Sequence, residues 1–101
     1  MKRKTARENN WKVLGIDITE EAYLAILGEQ DFRCAICGRD EKEYRRGLAV
    51  DQNHATGQIR GLLCVKCNVG IGSFCEDITL LKKAKDYLVH HRTQAILDNQ
   101  D

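Results

Sequence analysis

Two Cys-x-x-Cys pairs decide the fold of this chain: Cys34-Ala35-Ile36-Cys37 and Cys64-Val65-Lys66-Cys67. Each pair brings two sulfur atoms to one side of a tight turn, so two such turns can complete a tetrahedral shell around a single metal ion. Thiolate ligands in this arrangement favour zinc. Because four cysteines would fill all four coordination positions, we expect a structural zinc ion and not a catalytic one.

A single Cys-x-x-Cys pair would be weak evidence for a metal site. Redox-active dithiols share the spacing, and reduced cysteines also occur in cores. Neither a redox pair nor a core role accounts for the duplication at residues 34–37 and 64–67. Gly38 follows the first pair and would let the chain turn there without a Cβ clash. Cys75, the fifth cysteine, is expected to be a small buried side chain and not a ligand.

The length of 101 residues fits one domain with a modest core, to which a bound metal would add folding free energy. Hydrophobic residues make up 43% of the chain, as in ordinary soluble globular proteins. No run of about 20 apolar residues suggests a membrane span. The basic start at residues 1–4 is not followed by the apolar segment of a signal peptide. We therefore expect a cytoplasmic protein.

Local patterns predict a small, zinc-stabilised α+β fold. Thr19 is suited to cap a helix over residues 20–30, whose apolar residues follow helical spacing. Residues 48–50 and 59–63 have the composition of two short strands, with turn chemistry at Thr56-Gly57 between them. The remaining predicted elements are a charged loop at residues 39–46, a short helix from Asn68 through Phe74, and a last helix capped by Asp77 or Thr79.

The last helix carries an apolar stripe at helical spacing, which we expect to face a core. The stripe consists of Leu80, Leu81, Ala84, Tyr87 and Leu88. Residues 1–18 are expected to form a basic N-terminal arm, and residues 94–101 a polar tail that frays. The candidate packing anchors in the arm are Trp11, Val13, Leu14 and Ile16.

The segment between the cysteine pairs holds the residues suited to chemistry. Asp51 offers a hard carboxylate oxygen for Mg²⁺, and an imidazole such as that of His54 can take a proton from water. Asn68, directly after the last paired cysteine, offers a second oxygen. Asp51 or His54 alone would also fit an ordinary loop. Strict alternation along a strand puts residues 51 and 54 on opposite faces, so the strand must bend or end near Gln52 if the side chains are to meet.

This segment resembles the recombination endonuclease VII group of HNH nucleases, also called ββα-metal or His-Me finger nucleases, which are largely phage-encoded. The resemblance covers about residues 18–90. It rests on Cys34-x-x-Cys37, on Leu48-x-Val50-Asp51-x-x-His54-x-Thr56-Gly57-x-x-Arg60-Gly61-Leu62-Leu63-Cys64-x-x-Cys67-Asn68, and on Leu80-Leu81-x-x-Ala84-x-x-Tyr87-Leu88. It implies a treble-clef-like zinc site that carries a β-hairpin-plus-helix active site, within a nuclease domain over residues 19–93.

By position, the resemblance implies that Asp51 and Asn68 hold a catalytic Mg²⁺ or Mn²⁺ ion and that His54 is the general base. The four paired cysteines match the group's zinc ligands. One position departs from the pattern, because the group usually carries Asp-His-x-His and Gln52 stands where the first histidine would be. A glutamine can donate a hydrogen bond to a phosphate oxygen but cannot transfer a proton, so the substitution bears directly on catalytic rate.

The resulting hypothesis is a metal-dependent DNA endonuclease that acts on duplex or branched DNA, as a monomer or a homodimer, in the cytoplasm of a phage host. The candidate nucleic-acid contacts are Gln52, Arg60, Lys66, Lys2, Arg3 and Lys4. The net charge of only +1 supports DNA binding weakly, although residues 1–12 hold five basic residues and one acidic residue. The alternatives are a non-catalytic zinc module that binds DNA or a protein, and a redox protein that uses the cysteine pairs.

Overall fold

The computed structural model describes residues 4–98, with the side chains of residues 4–92. The predicted α+β class is confirmed. The elements in chain order are helix α1 (Ala6–Val13), helix α2 (Glu20–Glu29), a short 3-10 helix (Glu41–Glu43), strands β1 (Ala49–Gln52) and β2 (Ile59–Leu63), helix α3 (Val65–Ser73) and helix α4 (Ile78–Asp98). The chain divides into two compact units, Met1–Asn68 and Val69–Asp101. Between residues 4 and 98, no helix has both the length and the apolar character that a bilayer span requires.

Strands β1 and β2 form an antiparallel hairpin, as the sequence predicts. The register pairs Ala49 with Leu63, Val50 with Leu62, Asp51 with Gly61 and Gln52 with Ile59. Arg60 is therefore an extra residue opposite the Asp51–Gln52 step, which makes a β-bulge. In the connecting turn, Gly57 has a φ of +78°, a backbone conformation that favours glycine, and its N–H donates to the Asn53 carbonyl at 2.7 Å.

Helix α2 begins where the sequence predicts. The Thr19 side-chain oxygen accepts a hydrogen bond from the Ala22 N–H at 3.1 Å, which caps the helix. Its inner face buries Tyr23 and Leu27, and the Tyr23 hydroxyl donates to the Leu48 carbonyl at 2.7 Å. The buried core of the first unit consists of Trp11, Tyr23, Leu27, Leu48, Val50, Leu62 and Leu63, together with Cys34 and Cys64.

Helix α1 lies in the predicted basic arm, for which the sequence analysis assigned no secondary structure. Thr5 and Glu8 form a capping box at its start, and Glu8 also accepts a hydrogen bond from the Glu20 backbone N–H at 2.9 Å. Arg7 forms an ion pair with the Glu20 carboxylate, and its guanidinium carbon lies 4.2 Å from the centroid of the Tyr23 ring. These contacts join α1 to the beginning of α2.

Of the four candidate packing anchors in this segment, Trp11 is buried and its ring centroid lies 5.1 Å from that of Tyr23. Ile16 is half-buried. The prediction was wrong for Val13 and Leu14, which are exposed at the end of α1 and just after it. The boundaries between a basic arm, a nuclease domain and a polar tail stay a prediction.

The second unit contains the end of α3, a turn and α4. Asp77, one of the two predicted caps, accepts hydrogen bonds from the Thr79 N–H at 2.8 Å and from the Leu80 N–H at 3.2 Å. The apolar stripe of α4 is largely exposed, with Tyr87 at 64% and Leu88 at 67% of their full exposure. The prediction of a core-facing stripe was therefore wrong. In the described part of this unit, no second layer covers α4.

The turn before α4 also differs from expectation. Cys75 was expected to be buried, but it is exposed, in a turn where its φ is +55°. The tail expected to fray from residue 94 is helical through Asp98, and residues 99–101 lie outside the described part.

Candidate metal centre and catalytic cleft

The four paired cysteines converge into one cluster, as predicted. Their sulfur atoms all lie within 4.8 Å of one another, and the Cys37 and Cys64 sulfurs are 3.7 Å apart. A tetrahedral zinc ion with Zn–S bonds of about 2.3 Å spaces its sulfurs about 3.8 Å apart. Cys34 and Cys64 are buried, Cys67 is half-buried and Cys37 is exposed. The cluster therefore has the ligand type, number and spacing of a structural zinc site.

Backbone N–H groups orient these sulfurs. The Cys64 N–H donates to the Cys34 sulfur at 3.3 Å, and the Cys67 N–H donates to the Cys64 sulfur at 3.4 Å. The second bond lies at the start of α3, so Cys64 occupies the position of a helix cap. Gly38 has a φ of +73°, as its predicted role in the first turn requires, and its N–H donates to the Cys34 carbonyl at 3.0 Å.

The paired cysteines affect one another's ionisation. Burial raises the pKa of Cys64, but interactions with the Tyr44 hydroxyl and with Cys67 outweigh it and lower the pKa to about 6. Burial and the neighbouring sulfurs raise the pKa of Cys67 to about 12. Opposite shifts of this kind arise because one thiolate disfavours the ionisation of the next. A divalent ion bound among the sulfurs would favour the ionised form of every ligand.

A tyrosine beside the cluster supports the same assignment. The Tyr44 hydroxyl is buried and, among the described residues, makes no hydrogen bond of ordinary geometry. It faces the Cys64 sulfur, whose interaction raises the pKa of Tyr44, and the Arg39 guanidinium, whose interaction lowers it. A buried hydroxyl without a partner is costly, whereas a metal-bound thiolate can accept its proton in a hydrogen bond. Tyr44 was not anticipated, because the loop that holds it has no metal-binding pattern in its sequence.

The residues that were predicted to take part in catalysis line one cavity of about 800 Å³. Asp51, Gln52, His54 and Asn68 all line it. Asp51 is 7% exposed, His54 is exposed and Asn68 is half-buried. The side chains can share one cavity because β1 ends at Gln52, with the bulge at the Asp51–Gln52 step. This is the interruption of the strand that the spacing of residues 51 and 54 required.

Arg60 engages both carboxylate oxygens of Asp51. Its Nε donates to Oδ2 at 2.8 Å and its Nη2 donates to Oδ1 at 2.9 Å, which makes a bidentate ion pair. The Asp51 side chain is 9% exposed and that of Arg60 is 34% exposed. The sequence predicted Asp51 as a metal ligand and Arg60 as a phosphate contact. The structure pairs these two residues with each other.

The structure describes three of the other predicted nucleic-acid contacts, Gln52, Lys66 and Lys4. Gln52 lines the cavity, and its side-chain N–H donates to the Gly57 carbonyl at 3.0 Å within the hairpin. Lys66 in α3 and Lys4 before α1 are exposed, and neither lines the cavity. Lys2 and Arg3 lie outside the described residues.

One wall of the cavity consists of residues outside the motif of the predicted site, although the basic clusters that include Arg7 and Arg46 were noted in the sequence. Helix α1 contributes Arg7, Asn10 and Trp11, and the loop before β1 contributes Arg46. Helix α1 is far from the hairpin in the sequence, so no local motif links the two. The one signal that pointed to this segment was the basic composition of residues 1–12.

Comparisons with known proteins identify relatives of this chain. The family model described as recombination endonuclease VII matches residues 8–90. The Gene 59 protein of Mycobacterium phage D29 is 47% identical over 72 residues, which are 70% of this chain and 43% of that protein. The Gene 59 protein of Mycobacterium phage L5 is 40% identical over 74 residues, which are 72% of this chain and 44% of that protein. Each match thus covers less than half of the relative. No solved structure matches the chain.

The family match begins further toward the N-terminus than the sequence resemblance indicated, and it includes most of α1. It also includes both Cys-x-x-Cys turns and the residues of the cavity from Asn10 to Asn68. The chain therefore belongs to the recombination endonuclease VII family.

Proposed function

We propose that this chain is a metal-dependent DNA endonuclease of the HNH class, which hydrolyses phosphodiester bonds. The observation that carries the proposal is the shared cavity, which Asp51, His54 and Asn68 line from β1, the hairpin turn and α3. A carboxylate, an imidazole and an amide suit hydrolysis assisted by a hard divalent cation, because oxygen ligands can hold the cation and an imidazole can accept a proton. Membership in the recombination endonuclease VII family agrees with this activity.

The scaffold supports the same proposal. The β1–β2 hairpin is followed directly by α3, which is the element order of a ββα-metal motif. The cysteine cluster joins the turn at residues 34–37 to the start of α3, as a treble-clef-like zinc site would. Zinc bound by four sulfurs has no open position for water, so its role would be structural.

The proposed chemistry assigns one task to each cavity residue. His54 takes a proton from a water molecule while the water oxygen bonds to phosphorus and the bond from phosphorus to the 3′ oxygen breaks. The departing 3′ oxygen takes a proton from solvent, which leaves a 5′-phosphate and a 3′-hydroxyl. Asp51 and Asn68 would hold Mg²⁺ or Mn²⁺, which supplies charge stabilisation to the phosphate and the departing oxygen when bound. His54 is the histidine among the residues that line the cavity. Gln52 stands at the position where the family usually carries another histidine.

Basic and amide side chains would position the DNA. The proposed contacts are Gln52, Arg60, Lys66, Lys2, Arg3 and Lys4. Contacts to phosphates give salt-dependent affinity without sequence preference. A single catalytic centre suffices to nick one strand, whereas paired cuts in a branched substrate would need a homodimer. The phage relatives support a site of action in the cytoplasm of an infected host.

A second candidate function is a zinc module that binds DNA or a protein without cutting. Two observations favour it. Arg60 engages both oxygens of Asp51, and the Gln52 amide is tied to the Gly57 carbonyl at a position where the family usually has a histidine. Such a module would need the cysteine cluster and the basic residues, but not a free carboxylate.

Plasmid cleavage separates the two candidates. Zinc-loaded protein is incubated with supercoiled plasmid, linear duplex and a synthetic four-way junction, with Mg²⁺ and with Mg²⁺ withheld. We expect cleavage only with Mg²⁺, and a loss of at least about a hundredfold in His54→Ala and in Asp51→Asn. His90→Ala, which removes an exposed histidine of α4, is the matched control and should cut like the wild type.

Zinc content and unfolding are measured for every variant, so that a loss of cleavage is not confused with a loss of metal or of fold. A folded, zinc-loaded His54→Ala protein that cuts at the wild-type rate would remove His54 as the base. Binding of the same DNA by wild-type protein without any Mg²⁺-dependent cleavage would instead support the non-catalytic module.

A further inference from the structure

We propose that Arg60 is a reversible occupant of the catalytic metal site: its guanidinium holds the Asp51 carboxylate until a divalent cation displaces it. This inference rests on the proposed function, since it assumes that Asp51 is a cation ligand. It assigns to Arg60 a positioning role that precedes its contact with phosphate, and it couples cation binding to the freeing of a phosphate-binding side chain.

The geometry of the Arg60–Asp51 pair places the guanidinium where a cation would bind. Arg60 donates to both Asp51 oxygens, at 2.8 Å and 2.9 Å. A bidentate pair of this kind uses the oxygens in the plane of the carboxylate, where a hard cation would also bind. A guanidinium and a divalent cation therefore compete for the same oxygens, and they also repel each other at such short range.

The β-bulge at Arg60 explains why its side chain reaches Asp51. In a regular hairpin, the residue beside Gly61 in β2 would direct its side chain away from the face of Asp51, because successive side chains alternate. Arg60 is instead the additional residue of the bulge opposite the Asp51–Gln52 step. Bulges re-aim side chains, so this extra residue brings the guanidinium onto the carboxylate.

Asp51 and Arg60 differ in how deeply their side chains are buried. The Asp51 side chain is 9% exposed, so its charge needs a cationic partner within the fold. The Arg60 side chain is 34% exposed, so it can leave the carboxylate toward solvent or toward a DNA phosphate without crossing the core. The two residues thus combine a buried acceptor with an exchangeable donor, which suits alternation between an arginine and a metal ion.

Cation binding to the zinc-loaded full chain tests the inference, with Mn²⁺ alone as the probe. Bound and free Mn²⁺ are distinguished by electron paramagnetic resonance in wild type, Arg60→Gln, Arg60→Lys, Asp51→Asn and the double variant Arg60→Gln/Asp51→Asn. If Arg60 holds Asp51 in nine of ten molecules, its removal should tighten Mn²⁺ binding about tenfold. Arg60→Lys keeps the charge but cannot form a bidentate pair with Asp51, so its Mn²⁺ affinity should fall between those of the wild type and Arg60→Gln.

Arg45→Gln is the matched control, because it removes the same charge from an exposed arginine of the loop before β1. Its Mn²⁺ affinity should equal that of the wild type. The melting temperature of each variant with and without Mn²⁺ is a second readout, since a cation that replaces the guanidinium should stabilise Arg60→Gln more than the wild type.

Tighter binding in Arg60→Gln that disappears in the double variant would support the inference, even if the wild type cuts no DNA and the proposed nuclease function fails. Equal or weaker binding in Arg60→Gln, with Asp51-dependent binding retained in the wild type, would overturn the inference and leave the metal site intact. Absence of Asp51-dependent binding in every variant would overturn both.

Discussion

The side-chain amide of Gln30, at the end of α2, hydrogen-bonds both backbone groups of Leu62 in β2. The Leu62 N–H donates to Gln30 Oε1 at 2.9 Å, and Gln30 Nε2 donates to the Leu62 carbonyl at 2.9 Å. Gln30 thus pairs with β2 in the manner of one residue of a neighbouring strand. The same carbonyl accepts the Ala35 N–H at 3.2 Å, so this contact joins α2, the hairpin and the first cysteine turn.

Replacement of Gln30 by Ala should destabilise the folded chain. It leaves the N–H of a fully buried residue without a partner, and an unsatisfied buried group costs about 1–3 kcal/mol. We expect a loss of about 2 kcal/mol in the free energy of unfolding, measured by urea denaturation of zinc-loaded protein. Gln58→Ala, at an exposed position of the hairpin, is the control and should change little. An equal effect of the two substitutions would contradict this role of Gln30.

Removal of one paired cysteine should abolish stoichiometric metal binding. Cys37→Ser leaves three sulfurs in the cluster, and a metal ion bound there would add to the stability of the small core of the first unit. We expect one zinc ion per wild-type chain, a tetrahedral thiolate spectrum with Co²⁺, and loss of both in Cys37→Ser. Cys75→Ser is the control, because Cys75 is exposed and outside the cluster. Retained zinc in Cys37→Ser would show that the four sulfurs do not act as one site.

Tyr44→Phe should weaken zinc binding without unfolding the chain. The substitution removes the buried hydroxyl that faces the Cys64 sulfur, and changes beside metal ligands typically cost about tenfold or more in affinity. Competition with a chromophoric chelator measures the affinity, and the Co²⁺ charge-transfer band reports any change at the sulfurs. Tyr87→Phe, on the exposed face of α4, is the matched control. If both variants bind zinc like the wild type, the Tyr44 hydroxyl has no role at the metal.

The Arg7–Glu20 pair should make part of the stability pH-dependent. The hydrogen bond from Arg7 lowers the pKa of Glu20 below its ordinary value of 4.5. Because the folded pKa is the lower one, this stabilisation is present above pH 4.5 and is lost as the pH falls through the folded value. We expect Glu20→Gln to cost less than about 1 kcal/mol at pH 7, since the pair is partly exposed.

The difference in unfolding free energy between wild type and Glu20→Gln should shrink below pH 4.5. Protonation of the cysteines affects both proteins alike, so the difference between them isolates the carboxylate. Glu29→Gln, at the other end of α2, serves as the control. A difference that stays constant from about pH 7 to about pH 3 would exclude a contribution from the ionised Glu20 side chain.

The predictions that succeeded rest on local chemistry. Thr19 caps α2 with a side-chain oxygen, and Gly57 turns the hairpin with a positive φ. The predictions that failed concern burial. Leu88 was expected in a core because of its helical spacing, and Cys75 because it is a small apolar side chain. Both are exposed. Periodicity shows that one face of a helix is apolar, but it does not show which layer, if any, covers that face within the same unit.

The sequence by itself determined the cysteine cluster and the hairpin that carries Asp51 and His54, because a short turn limits how far apart its residues can lie. Only the tertiary structure decided what those residues contact. The Arg60 guanidinium lies on Asp51, and Asn10 from α1 lines the same cavity. The first contact depends on one bulge in the register of a hairpin, and the second on packing between distant segments. Neither leaves a periodic or local pattern in the sequence.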